Sequence, residues 1–263
     1  MRNAIKTTLI LLTALLLHAC GDDDNNPVKD NDPIELNVIE TYTEAGLTYE
    51  ILSDEMELLE GYNEFYLKVK DSDGNDLTND FGLSIVMDMG SMMHSTPYEY
   101  EMMEDESNGG SIIMIKATFI MPTVEMGVWM INAKSESLGA DLMIEFNVAA
   151  SGDVKRFTHN EKPYFVTLRT LKSPEVGIND FNITVHTRQD MMTHPAVEDL
   201  TVSIEPIMPS MGHGSDGNVN PVHTNGGMYE GKVSFNMTGD WEITVTLTDD
   251  DEEIGSVVYS LDL

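Results

Sequence analysis

Three features predict an all-β chain built as two tandem antiparallel β-sandwiches. Apolar and polar residues alternate with period two through both halves, turn signals interrupt the alternation, and a set of anchor residues recurs in the same order. Such alternation buries one face of a strand and leaves the other wet. Anchors that recur in order, with small insertions between them, mark a duplicated unit. No stretch shows a helical period. Each unit has the size of an immunoglobulin-like domain, with about seven strands expected.

The chain opens on Arg2 and Lys6, an apolar run from Leu9 to Leu17, and then Leu17-His18-Ala19-Cys20. A charged start and a run too short to span a bilayer read as a secretion signal. It resembles a bacterial lipoprotein signal: residues 1–19 would be removed and Cys20 lipidated, although His18 replaces the usual small residue. Residues 20–35 begin Cys20-Gly21-Asp22-Asp23-Asp24 and stay polar to Pro33, a composition that cannot bury apolar surface and reads as a flexible linker. An acidic run after such a cysteine also resembles the surface-export signal of Bacteroidetes lipoproteins. It implies an outer-membrane lipoprotein on the cell surface or on the periplasmic face, held to the membrane by its N-terminal lipid. A solvated linker accounts for the same residues.

The two copies are placed at residues 36–148 and 154–263, with a joint at 149–153. Gly61-Tyr62-Asn63-Glu64-Phe65 matches Gly177-Ile178-Asn179-Asp180-Phe181, and Lys116-Ala117-Thr118-Phe119-Ile120-Met121 matches Lys232-Val233-Ser234-Phe235-Asn236-Met237 at the same offset. Gly127-Val128-Trp129 then matches Gly239-Asp240-Trp241 after a small insertion around Pro122. Phe65, Leu67 and Val69 fall on one strand face, as do Phe181, Ile183 and Val185, and Trp241, Ile243, Val245 and Leu247. Asp71-Ser72-Asp73-Gly74-Asn75 and Asn225-Gly226-Gly227 are turn signals between such runs.

A formal charge of −32, from 14 basic and 46 acidic residues, argues against nucleic acid and against electrostatic docking on anionic lipid. Cys20 is the only cysteine, so the mature chain has neither a disulfide nor a cysteine metal site. Nucleophile elbows, phosphate-cradling loops and His-Glu-x-x-His are all missing from the sequence. An enzyme is not expected.

The pattern Met-x-x-Met-x-His occurs twice, at Met89, Met92, His94 and at Met208, Met211, His213. Thioether sulfur and imidazole nitrogen suit copper better than calcium or magnesium. Met89 and Met208 also continue apolar strand faces, and Met121 and Met237 follow Phe119 and Phe235 by two residues, so packing and ligation both account for these four. Met92, His94, Met211 and His213 lie among Gly, Ser and Pro, where packing gives little reason for them. One candidate site is therefore Met89, Met92, His94 and Met121, with Met126 in reserve; the other is Met208, Met211, His213 and Met237. Met191-Met192-Thr193-His194 is a further cluster with no twin, readable as extra ligands or as an ordinary loop. His223 could lend a ligand to the second site, while His159 and His186 read as structural.

Met208-Pro209-Ser210-Met211-Gly212-His213, followed by Tyr229-x-Gly231-x-Val233-x-Phe235-x-Met237-x-Gly239-x-Trp241, resembles the YtkA-like domain family, which is related to FixH-type proteins. The first copy departs from it at Gly90 and Met93 and lacks the Tyr-x-Gly element. The resemblance implies a β-sandwich and a link to copper handling or oxidase assembly. A copper-binding lipoprotein that passes its ion to a receiving protein is the leading expectation. A metal-free structural or adhesive lipoprotein, and haem capture through Met or His, are the others.

Overall fold

The computed structural model describes residues 36–78, 81–105 and 110–263. The signal, Cys20 and the linker lie outside the described residues. Wherever the alternation runs, the chain is extended, and no α-helix occurs among the described residues. The first half contains β1 (Asn37–Glu44), β2 (Leu47–Ser53), β3 (Leu58–Leu59), β4 (Gly61–Lys70), β5 (Gly82–Asp88), β6 (Met93–Ser95), β7 (Tyr98–Asp105), β8 (Gly110–Phe119), β9 (Val128–Ser135), β10 (Ala140–Phe146) and β11 (Val148–Ala149). The second contains β12 (Val154–His159), β13 (Lys162–Leu168), β14 (Gly177–Thr187), β15 (Thr201–Met208), β16 (His213–Gly214), β17 (Val219–Asn225), β18 (Met228–Phe235), β19 (Asp240–Asp249) and β20 (Glu252–Asp262).

A five-stranded sheet β1-β2-β4-β8-β7 and a four-stranded sheet β10-β9-β5-β6 form the first sandwich. The second repeats that order, as β12-β13-β14-β18-β17 with β16-β15-β19-β20. This is more than the seven strands expected of each unit. Part of the excess is β6 and β16, two very short strands that carry His94 and His213, where the composition read as loop. Each core draws on both of its sheets, and every apolar stripe named from the alternation is buried in it. Aligned sheets filled by interdigitating side chains are what such stripes produce.

The duplication reaches individual hydrogen bonds. Gly61 and Gly177 both open a strand at positive φ, +113° and +117°, a region that glycine enters without a Cβ penalty. Two residues later, Asn63 accepts from Leu59 N–H (2.9 Å) and donates to the carbonyls of Leu59 (2.7 Å) and Gly61 (2.9 Å). Asn179 does the same with Glu175 (2.9 and 2.7 Å) and Gly177 (3.1 Å). Asn63→Ala or Asn179→Ala is expected to lower the unfolding free energy by about 1–3 kcal/mol, because backbone groups lose partners at a part-buried turn. Urea unfolding measures it, and a loss below about 0.5 kcal/mol would remove the clasp's structural role.

Where the first sandwich runs into the joint, β3 and β11 pair in parallel and Glu60 N–H donates to Ala149 O at 2.7 Å, next to the second sandwich. Ile120 packs there with Val154 and Phe165. Arg169 lies over the Tyr62 ring at 3.6 Å. This junction is small and specific, and it sets the rim of the first sandwich against a loop of the second.

Candidate functional site

Strand register fixes how the two Met–His segments correspond. His94 on β6 pairs with Met87 on β5, and His213 on β16 pairs with Met208 on β15. Met208 is thus the equivalent of Met87, not of Met89, and the connection in the first sandwich is longer by two residues. Both of these methionines are core residues, 0% and 2% exposed. Met87 Sδ lies 3.0 Å from where a Cβ on Gly127 would stand, and Met208 Cε 3.0 Å from the same point on Gly239. The repeated Met-x-x-Met-x-His spacing is therefore a near-coincidence laid over a true structural repeat.

That repeat is a histidine set over a tryptophan. His94 meets the Trp129 ring edge-on at 5.4 Å, and His213 meets Trp241 at 6.3 Å. Trp129 Nε1–H donates to Met121 O (3.0 Å) and Trp241 Nε1–H to Met237 O (3.1 Å). Each histidine places Nδ1 against the next backbone carbonyl, Ser95 O at 3.0 Å and Gly214 O at 2.9 Å. A carbonyl only accepts, so Nδ1 carries the proton and Nε2 keeps its lone pair. A carbonyl holding the far nitrogen is the arrangement that orients a metal-binding imidazole.

In the first sandwich this scaffold opens into a cleft of about 390 Å³. Met89, Met92, His94 and Met121 all line it. Gly90, at φ +75°, turns the chain between Met89 and Met92, whose backbones bond at 3.0 Å. His94 is 5% exposed and its Nε2 has no hydrogen-bond partner. A buried, unpaired ring nitrogen calls for an explanation. Met89 and Met121 are half-buried, Met92 is exposed, and the reserve Met126 stands 76% exposed.

The second sandwich holds its four candidates differently. Met208 is locked into the core, whereas Met211 and Met237 are 62% and 40% exposed. His213 is half-buried. Gly212 at φ +68° makes the turn, and Gly212 N–H donates to Met208 O at 2.8 Å. The Tyr-x-Gly run is structural: the Tyr229 hydroxyl donates to Val197 O (2.9 Å) and accepts from Leu200 N–H (3.1 Å). A Cβ on Gly231 would stand 2.5 Å from Val219 O of the neighbouring strand. His223 is exposed, edge-on to Tyr229 at 5.4 Å.

Met191 and His194 also line the first cleft, from the second sandwich. His194 is 8% exposed with neither ring nitrogen paired. Burial, with His94 and Arg188 nearby, pushes it down to about 4. His186, read as structural, is buried beside it; burial, then the charges of His194 and Arg169, push it down to about 4 as well. At neutral pH both rings are uncharged. The Met191–His194 cluster was visible in the sequence, but nothing local shows that it reaches the other sandwich.

In a chain of charge −32, no carboxylate is among the side chains lining this cleft, while Arg156 and Arg188 are. Among the described residues no three of His, Cys, Asp and Glu gather as metal ligands. An ion held here depends on thioethers, and a hard divalent ion would meet no oxyanion to replace its water.

No curated protein matches the sequence significantly. Among solved structures, domains 5–6 of the S-layer protein SbsC are similar at 15% identity, covering 86% of this chain and 97% of that one with a TM-score of 0.29, a likeness too slight to carry an argument. Residues 158–246, which lie within the second sandwich and span Met208, Met211, His213 and Met237, match the model of the YtkA-like family.

Proposed function

We propose that the chain is a non-catalytic, lipid-anchored extracytoplasmic protein that binds a soft metal ion, Cu(I) foremost, at its Met–His segments and yields it to a receiving protein. One observation carries the reading: His94, whose buried Nε2 has no partner, lines the same cleft as Met89, Met92 and Met121. A thioether has no proton to lose and forms no disulfide, so it remains a ligand in an oxidising compartment. The lipid anchor and the outer membrane rest on Leu17-His18-Ala19-Cys20 and the acidic residues after it. Cu(I), when bound, supplies a soft acceptor for sulfur and imidazole; the protein supplies orientation and a cleft free of carboxylates.

The test is competition for Cu(I) with a chromogenic chelator. His94→Ala is expected to weaken binding by about 100-fold or more, beyond the loss that follows removal of an outer-shell partner. Unchanged affinity, or full-length protein from copper-supplemented cells without stoichiometric metal, would leave the structural or adhesive sandwich as the better account. Arg156 and Arg188 favour one second reading, haem capture, because guanidinium groups pair with propionates. A Soret band that appears on adding haem and disappears in His94→Ala would transfer the site to haem.

A further inference from the structure

We propose that the ion is held between the two sandwiches: His194 and Met191 of the second close a site whose other side is His94, Met89 and Met121 of the first. This rests on the soft-metal reading and adds that bound metal clamps the junction.

Ser95 builds the connection. Its carbonyl accepts from His94 Nδ1–H at 3.0 Å, and its N–H donates to Met191 O at 2.8 Å. One residue thus sets the first sandwich's histidine and the second sandwich's methionine in register. The segment that brings Met191 is tightly folded: Gln189 N–H donates to Thr193 O at 3.0 Å, Met192 N–H to the Asp190 carboxylate at 2.8 Å, and Thr187 N–H to Pro195 O at 3.0 Å. Such a loop presents its side chains at little further entropic cost. His194 packs edge-on to Phe165 at 5.9 Å, within the apolar contact between sandwiches. That contact accounts for the ring's carbon edge and for neither nitrogen, both of which are buried without partners. Buried polar atoms are nearly always satisfied, and the uncharged His194 ring keeps one lone pair, so that nitrogen and the unpaired Nε2 of His94 point to a common acceptor. Two imidazoles with two or three thioethers make a complete shell for a soft ion. A site shared between two sandwiches also offers a release route, since parting the junction removes two of the five ligands at once.

Cu(I) competition and X-ray absorption on the full-length chain test this with wild type, His94→Ala and His194→Ala. Both variants are expected to lose about 100-fold or more in affinity, and wild type to show two nitrogen scatterers with sulfur, one of them absent in His194→Ala. Wild-type affinity in His194→Ala together with loss in His94→Ala overturns the shared site and leaves the soft-metal reading standing. Wild-type affinity in both overturns the two together. Should His194→Ala fail to fold, Met191→Ala carries the test, its side chain being 36% exposed. A roughly tenfold weaker ion is expected there, and wild-type affinity overturns the proposal.

Discussion

Trp241→Ala is expected to destabilise the chain by about 3–5 kcal/mol, and Trp129→Ala by a similar amount, the range for deleting a large buried aromatic. Trp241 is 1% exposed and Trp129 0%. Each contacts a core phenylalanine, Phe235 at 5.3 Å and Phe119 at 5.0 Å, and each has a histidine against it, His213 and His94. The loss has two parts. Removing the indole leaves a cavity in a close-packed core, and it leaves Met237 O or Met121 O without its donor. Tryptophan to phenylalanine separates them: the apolar body stays, the N–H goes, and about 1–3 kcal/mol is expected. Guanidinium unfolding followed by circular dichroism is the measurement. A loss under about 1 kcal/mol for the alanine variants would mean the rim does not rest on its tryptophan. Because Trp129 supports His94 and fixes the Met121 backbone, Trp129→Phe is also expected to weaken metal binding while the protein stays folded.

Much of this was legible because a strand states its buried face residue by residue. Phe65, Leu67 and Val69, or Trp241 through Leu247, needed no tertiary knowledge to place. The Gly-x-Asn anchors likewise marked the duplication, although the turn that their asparagines clasp was not read from them. Two things were not legible. The equivalence of Met208 with Met87 is a matter of strand register, and two extra residues between Met87 and His94 make Met89 look like its partner. A spacing motif cannot distinguish a shifted register from a true match, since adding two residues keeps a side chain on the same face. The second was the meeting of Met191 and His194 with the rim of the first sandwich, where Ile120 packs with Val154 and Phe165 and Ser95 bonds to Met191. Contacts between domains leave no periodicity in the chain. His186 read as structural, and its neighbour His194 comes from the turn that follows its own strand, β14.

One tight Cu(I) per chain is the expected stoichiometry, with the second rim far weaker, despite the two motifs. Met208 is unavailable at the second rim, its methyl group packed at Gly239, so His213 is left with Met211 and Met237, both exposed. The first cleft has His94 already buried and Met89 and Met121 already half-buried, with Met92 the exposed member. Each additional exposed methionine immobilised on binding costs about 1.5–2 kcal/mol in rotamer freedom, by itself a factor of roughly 10–30 in affinity. The missing thioether widens the gap. Met211→Ala combined with His213→Ala is therefore expected to leave the tight step of a Cu(I) titration intact, whereas His94→Ala removes it. Met208→Leu, which conserves core volume, is expected to leave both steps unchanged. If the double variant abolishes the tight step, the order of the sites is reversed and the exposed rim of the YtkA-like domain is the binding face.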